Sequence, residues 1–252
     1  MKTITFSTQK GGAGKTTCSL GLIHKLEKTG RRTLAIDLDS QGNLTKALDV
    51  PNATGGALAV LSGEKGIRDA IVRKSEHVDV LPYSIRLSVA DKTLDEIGKE
   101  HKLKEALDEI RGDYEYCVID TPPALGIVVV NAYTASEYVV MPIKGDDYFS
   151  LDSIPAVVST INSVRKYWNP DLKLLGFVIN EYNPRSVFAR QLLEAVENSA
   201  ATLNTVVFDS KVSKGIAIAE NKATRENIFG EKSRNKAVAS LDELTDEIIR
   251  AV

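Results

Sequence analysis

Short runs of β-branched and apolar residues recur along the chain, separated by longer stretches with helical spacing. The runs predict strands over residues 3–7, 33–37, 78–82, 116–120, 138–142, 174–179 and 205–208. Several are apolar throughout rather than alternating, as parallel strands covered on both faces must be. Helical spacing predicts helices over 15–28, 101–111, 153–167 and 187–199. Strand–helix alternation of this kind implies βαβ crossovers and an α/β fold: a doubly wound, mostly parallel sheet flanked by helices. A last helix over 236–252 places Leu241, Leu244, Ile248 and Ile249 on one side and Asp242, Glu243, Asp246 and Glu247 on others. A membrane-surface helix would carry lysines at those polar positions, so docking on the domain is expected.

Composition narrows this picture. The 252 residues are 43% hydrophobic and 26% charged, enough apolar material for a large core and no signature of disorder. A net charge of −2 means that any binding to nucleic acid must come from a local patch. The longest apolar stretch, ALGIVVVNAYTASEYVVMPI, is interrupted by Asn131, Ser136 and Glu137 and cannot span a bilayer. The amino end lacks the long apolar region of a signal peptide, so a cytoplasmic protein is expected. Cys18 and Cys117 lie far apart and read as small buried hydrophobes.

Candidate chemistry begins at STQKGGAGKTT, residues 7–17. The pattern G-x-x-x-x-G-K-[ST] would place a first glycine at position 9, where Gln9 stands, and a second lysine, Lys10, follows it. Strand, glycine loop and helix nevertheless come in the order a phosphate cradle needs. Backbone N–H groups of Gly11, Gly12, Ala13 and Gly14 turn inward, and the helix amino terminus adds partial positive charge. Lys15 then pairs with the β- and γ-phosphates, and the hydroxyl of Thr16 ligates Mg²⁺, with Thr17 beside it. Asp37 and Asp39, in AIDLDSQGN, fall at the carboxyl end of the second strand, where open α/β sheets bind ligands. YCVIDTPP ends an apolar strand in Asp120, placed to face Mg²⁺ through water, with Asp37 as a further metal candidate. Turn and cap roles are the competing reading of the two strand-end aspartates.

Together these motifs identify a P-loop NTPase. Lys10 through Thr17 resembles the deviant Walker A motif of the ParA/MinD group of ATPases. Asp37-Leu38-Asp39-Ser40-Gln41-Gly42-Asn43 and Asp147-Tyr148-Phe149-Ser150-Leu151 are similar to stretches of the ParA branch. The resemblance runs to about Asn180. It implies ATP and Mg²⁺ as cofactors and an ATP-sandwich homodimer in which Lys10 touches the partner's nucleotide. It also implies that Asp39 activates the attacking water and that Asn180 contacts adenine. Charge physics agrees about Lys10. Two like charges at about 4 Å cost roughly 4 kcal/mol at an effective dielectric of 20, so Lys10 and Lys15 resist sharing one empty site.

Beyond Asn180 the likeness loosens: Val207-Phe208-Asp209 stands where relatives carry a proline–arginine pair. Residues 210–236 are rich in lysine and arginine, and Lys211, Lys214, Lys222 and Arg225 are candidate DNA-binding residues, joined by Arg185. Such contacts would be to phosphates, hence sensitive to salt and indifferent to sequence. The resemblance implies a DNA-partition ATPase, nucleoid-associated and acting with a ParB-type centromere-binding partner. The chain reads as one P-loop ATPase domain over 1–252 without an amino-terminal helix-turn-helix extension. The rivals are a MinD-like membrane ATPase, disfavoured by the acidic last helix, and a metal- or cluster-handling ATPase, disfavoured by the cysteine positions.

Overall fold

Strands rich in Val, Ile and Leu that are apolar on both sides need a helical layer over each face. The computed structural model, which describes residues 1–51, 55–215, 225–230 and 235–252, supplies both layers. The strands are β1 (Lys2–Phe6), β2 (Thr33–Asp37), β3 (Val72–Arg73), β4 (Val78–Leu81), β5 (Tyr116–Asp120), β6 (Tyr138–Lys144), β7 (Lys173–Asn180) and β8 (Val206–Val207). They form one sheet in the order β3-β4-β2-β5-β1-β6-β7-β8. Every pairing is parallel except β3 with β4. Among the described residues, that two-residue edge strand is the one strand the sequence pattern misses, because two residues carry no periodicity.

The described helices are α1 (Lys15–Lys28), α2 (Asn43–Ala47), α3 (Gly56–Leu61), α4 (Ile67–Ala70), α5 (Ala90–Thr93), α6 (Lys102–Asp108), α7 (Ile127–Ala135), α8 (Ser153–Tyr167), α9 (Val187–Thr202) and α10 (Lys236–Ala251). Helices α3, α4 and α6 to α9 bury one sheet face, through Leu34, Ile36, Cys117, Ile119 and Met141. Helices α1, α2 and α10 cover the other, through Ile4, Phe6, Ala35, Val118 and Val178. The last helix therefore docks on the domain as its pattern predicts. No described helix is long and apolar enough to cross a membrane.

Proline inside β6 has a local explanation. Val140 O accepts from Ser7 N at 3.1 Å, and two residues on, Pro142 turns the same way just past the last β1 pairing, Phe6 with Val140. Its missing N–H therefore removes no bond to β1. In register, Phe6 pairs with Asp120 and Asp120 with Asp37. The ends of β1, β5 and β2 thus meet at one point on the carboxyl edge of the sheet, where the loop into α1 begins.

Candidate nucleotide site

The turn from β1 into α1 is made by residues that need a backbone without a Cβ. Gly12 and Gly14 sit at φ 74° and 107°, in the left-handed region that disfavours other residues. A Cβ on Gly14 would also lie 2.4 Å from Nδ2 of Asn180. Asn180, at the end of β7, donates from that nitrogen to Ala13 O at 3.2 Å, so the strand that ends there shapes the loop. The site is an open cavity of about 820 Å³ bounded by the loop, by Asp39, Gln41, Asn43 and Lys46 on one side, and by Asn180 and Glu181 on another.

Lys15 lies buried beneath this cavity and donates to Thr8 O and Lys10 O at 3.3 and 3.4 Å. Burial lowers its pKa, while Asp120 and Asp39 oppose the shift. The hydroxyl of Thr16 donates to Oδ2 of Asp120 at 2.6 Å. Oδ1 of Asp120 is buried and has no hydrogen-bond partner among the described residues. Burial first, then Asp37, holds its carboxyl well above the usual carboxylate range, against the pull of Thr16 and Lys15. An unsatisfied buried carboxylate oxygen beside a hydroxyl suits a hard divalent cation.

The two strand-end aspartates have different roles. Asp39 lines the cavity, with Oδ1 accepting from Gln41 N at 3.0 Å. Asp37 is fully buried; Oδ2 accepts from the N–H and hydroxyl of Thr45 at 2.8 and 2.7 Å, and Oδ1 from Asp39 N at 3.2 Å. Burial raises its pKa to about 6 despite those bonds. Through the bonds to Thr45 it fastens α2 to β2.

Lys10 turns away from the cavity. Its ammonium lies 2.9 Å from Asp147 and 5.8 Å from the ring centre of Phe149. Bonding to Lys10 holds the Asp147 carboxyl below its usual range. Phe149 and Tyr148 are exposed, and Tyr148 packs on Phe188 with ring centres 6.0 Å apart. The sequence alone does not reveal this role for Asp147, because a pairing across 137 positions leaves no local signal.

The described candidate DNA-binding residues differ in exposure and pairing. Arg225 lines the nucleotide cavity and pairs with Asp49. Lys214 is shared between Asp146 at 3.0 Å and Glu181 at 3.5 Å. Lys211 is half-buried, Arg185 is exposed, and Lys222 lies outside the described residues. In the late strand region Phe208 is buried, and Asp209 N and Ser210 N donate to Glu247 of α10, away from the cavity. Cys18 and Cys117 are both buried, and no cluster of His, Cys, Asp and Glu placed for a metal occurs among the described residues.

A parallel sheet with a glycine loop, buried lysine and hydroxyl at the end of β1 defines the class: this is a P-loop ATPase. A family model described as an AAA domain matches residues 1–174. The chain is 34% identical to sporulation initiation inhibitor protein Soj of Bacillus subtilis, over 78% of this chain and 79% of that one. It is 32% identical to chromosome partitioning protein ParA of Caulobacter vibrioides, over 87% and 83%. A crystal structure of cobyrinic acid a,c-diamide synthase from Mycobacterium smegmatis with bound ADP and magnesium superposes at a TM-score of 0.83. That protein is 29% identical, over 99% of this chain and 94% of the other. The chain belongs to the ParA/Soj family of P-loop ATPases.

Proposed function

We propose that this chain is a DNA-partition ATPase in which ATP and Mg²⁺ drive a homodimer onto nonspecific DNA of the nucleoid. A ParB-type centromere-binding protein then stimulates hydrolysis and releases it. The observation that carries this reading is the division between two lysines. Lys15 lies under its own cavity, whereas Lys10, on the same loop, is turned outward onto Asp147 beside the exposed rings of Tyr148 and Phe149. A cation so placed is available to a neighbouring subunit's nucleotide, where it would act as an arginine finger does.

In this reading the loop N–H groups of residues 11–14, Lys15 and Thr17 hold the phosphates, and Asn180 reaches the adenine. Asp39, at the cavity wall, orients the attacking water. Thr16 and Asp120 would hold Mg²⁺, which neutralises charge developing on the transferred phosphate. Hydrolysis by the isolated subunit is slow because Lys10 is not directed at its own site.

The test is DNA binding followed by fluorescence anisotropy with ATP, with ADP and without nucleotide, across a salt series. ATP-dependent binding that weakens steeply with salt is expected; equal binding in all three states overturns the reading. ATP-dependent sedimentation with anionic vesicles, without DNA binding, would establish a MinD-like membrane switch instead. Lys10→Ala should retain ATP binding and lose dimerisation and turnover, and a fully active variant would sink the assignment.

A further inference from the structure

Arg225 reaches the nucleotide cavity from a segment fastened to α1. Nδ2 of Asn227 donates to Oε2 of Glu27 at 3.2 Å and to His24 O at 3.4 Å. The Ile228 N–H donates to Nδ1 of His24 at 3.0 Å, and Lys28 Nζ to Phe229 O at 3.2 Å. Ile228 and Phe229 are themselves buried. The residue at the cavity wall is therefore held by the same helix whose first turn carries Lys15 and Thr16.

The guanidinium is only lightly committed. Its one bond to a described residue is from NH1 to Oδ1 of Asp49, and the side chains of both partners are more than half exposed. Arg225 and Asp49 each sit at positive φ, 61° and 55°, a conformation that non-glycine residues hold at some cost. Other cavity cations are engaged: Lys15 on the loop carbonyls, and Lys46 on Gln41 O at 2.6 Å and over the Tyr83 ring. A guanidinium offers five donors in a planar fork, a match for two phosphate oxygens that a single carboxylate oxygen does not use up.

We infer that Arg225 is a phosphate-binding residue of the nucleotide site, and that Asp49 is the anion that holds it when no nucleotide is present. Nucleotide entry exchanges the Asp49 carboxylate for the phosphate chain. This rests on the nucleotide-binding part of the proposed function. The exchange makes opposite demands on its two partners. Loss of Arg225 removes a ligand contact, whereas loss of the Asp49 charge removes a competitor.

The experiment measures displacement of a fluorescent N-methylanthraniloyl-ADP by ATP and by inorganic triphosphate, for wild type, Arg225→Ala, Arg225→Lys and Asp49→Asn. Arg225→Ala should weaken both competitors by about tenfold or more, the scale of a lost charge-assisted hydrogen bond. Arg225→Lys, which keeps charge and stem, should recover part of that loss. Asp49→Asn should bind as tightly as wild type or tighter. Unchanged affinity in Arg225→Ala overturns the inference. So does equal weakening in Asp49→Asn and Arg225→Ala, which would mark a purely structural ion pair. A loss confined to ATP, with triphosphate unaffected, overturns it too, because the base or ribose would then be the contact. A wild-type protein that binds no ATP would overturn the nucleotide reading itself and this inference with it.

Discussion

Gly14 and Asn180 each depend on the other's shape, one lacking a Cβ and the other filling the space this leaves. In Gly14→Ala the new methyl would meet Asn180 at 2.4 Å, on a backbone whose φ of 107° already excludes alanine. ATP binding measured by calorimetry should therefore be lost, and adding Asn180→Ala should not restore it, because the backbone conflict remains. His24 sets a second expectation at this scale. Burial lowers its pKa from the usual 6.5 to about 4, with Glu27 opposing and Lys74 assisting, and its Nδ1 accepts the Ile228 N–H only while unprotonated. Between pH 6.5 and 4 the unfolded chain binds the proton and the native state does not. His24 thus contributes stability in full above pH 6.5, and loses it as pH falls through that window, by about 3 kcal/mol in all. Asp37, raised to about 6, favours the native state as pH falls and flattens the curves of wild type and variant alike, so it cancels in their difference. The difference between wild type and His24→Asn, read from urea midpoints, should widen towards pH 6.5 and close near pH 4. Of the site residues, the loop glycines, Lys15, Thr16 and Asp120 are legible because strand, turn and helix fix their geometry locally. Asp147 and Arg225 are not, since Asp147 is placed by its pairing with distant Lys10 and Arg225 by the hydrogen bonds of residues 227–229 to α1.

Elements bear out the periodic reading where periodicity is long. Helices α1 and α8 and strands β2 and β5 begin and end where the pattern predicts, whereas the helix predicted over 101–111 closes to Lys102–Asp108. The pairing of α10 with α1 follows from composition on both helices. Gly21 lets the two approach, since a Cβ there would lie 2.9 Å from Cγ of Leu241. Lys25 of α1 is bracketed by Asp242 and Asp246 at 2.9 and 2.8 Å, which gives the acidic positions of the last helix a purpose. These half-exposed pairs add at most about 1 kcal/mol, so the apolar contact dominates. Leu241→Ala should accordingly cost about 2–5 kcal/mol in chemical denaturation, the range for a fully buried leucine. A loss below about 1 kcal/mol would show that α10 contributes little to the domain.

Across the whole molecule, the basic stretch seen in the sequence is partly neutralised in space. Lys214 must leave Asp146 and Glu181 before it can meet a DNA phosphate, while Arg185 is exposed and has no ion pair among the described residues. If both serve DNA, Arg185→Ala should lower affinity more than Lys214→Ala. It should also reduce the slope of log K against log salt by about one, the signature of one lost phosphate contact. Anisotropy at several salt concentrations checks both. The contact between α1 and α10 has a further consequence, for biosynthesis. Lys25 and Asp242 are 217 residues apart, so this side of the helix that begins at the phosphate loop stays uncovered until α10 has left the ribosome. A truncated translation product would carry the phosphate-binding sequence without its finished support. A fragment that stops before α10 should therefore hold nucleotide more weakly than a chain that carries it.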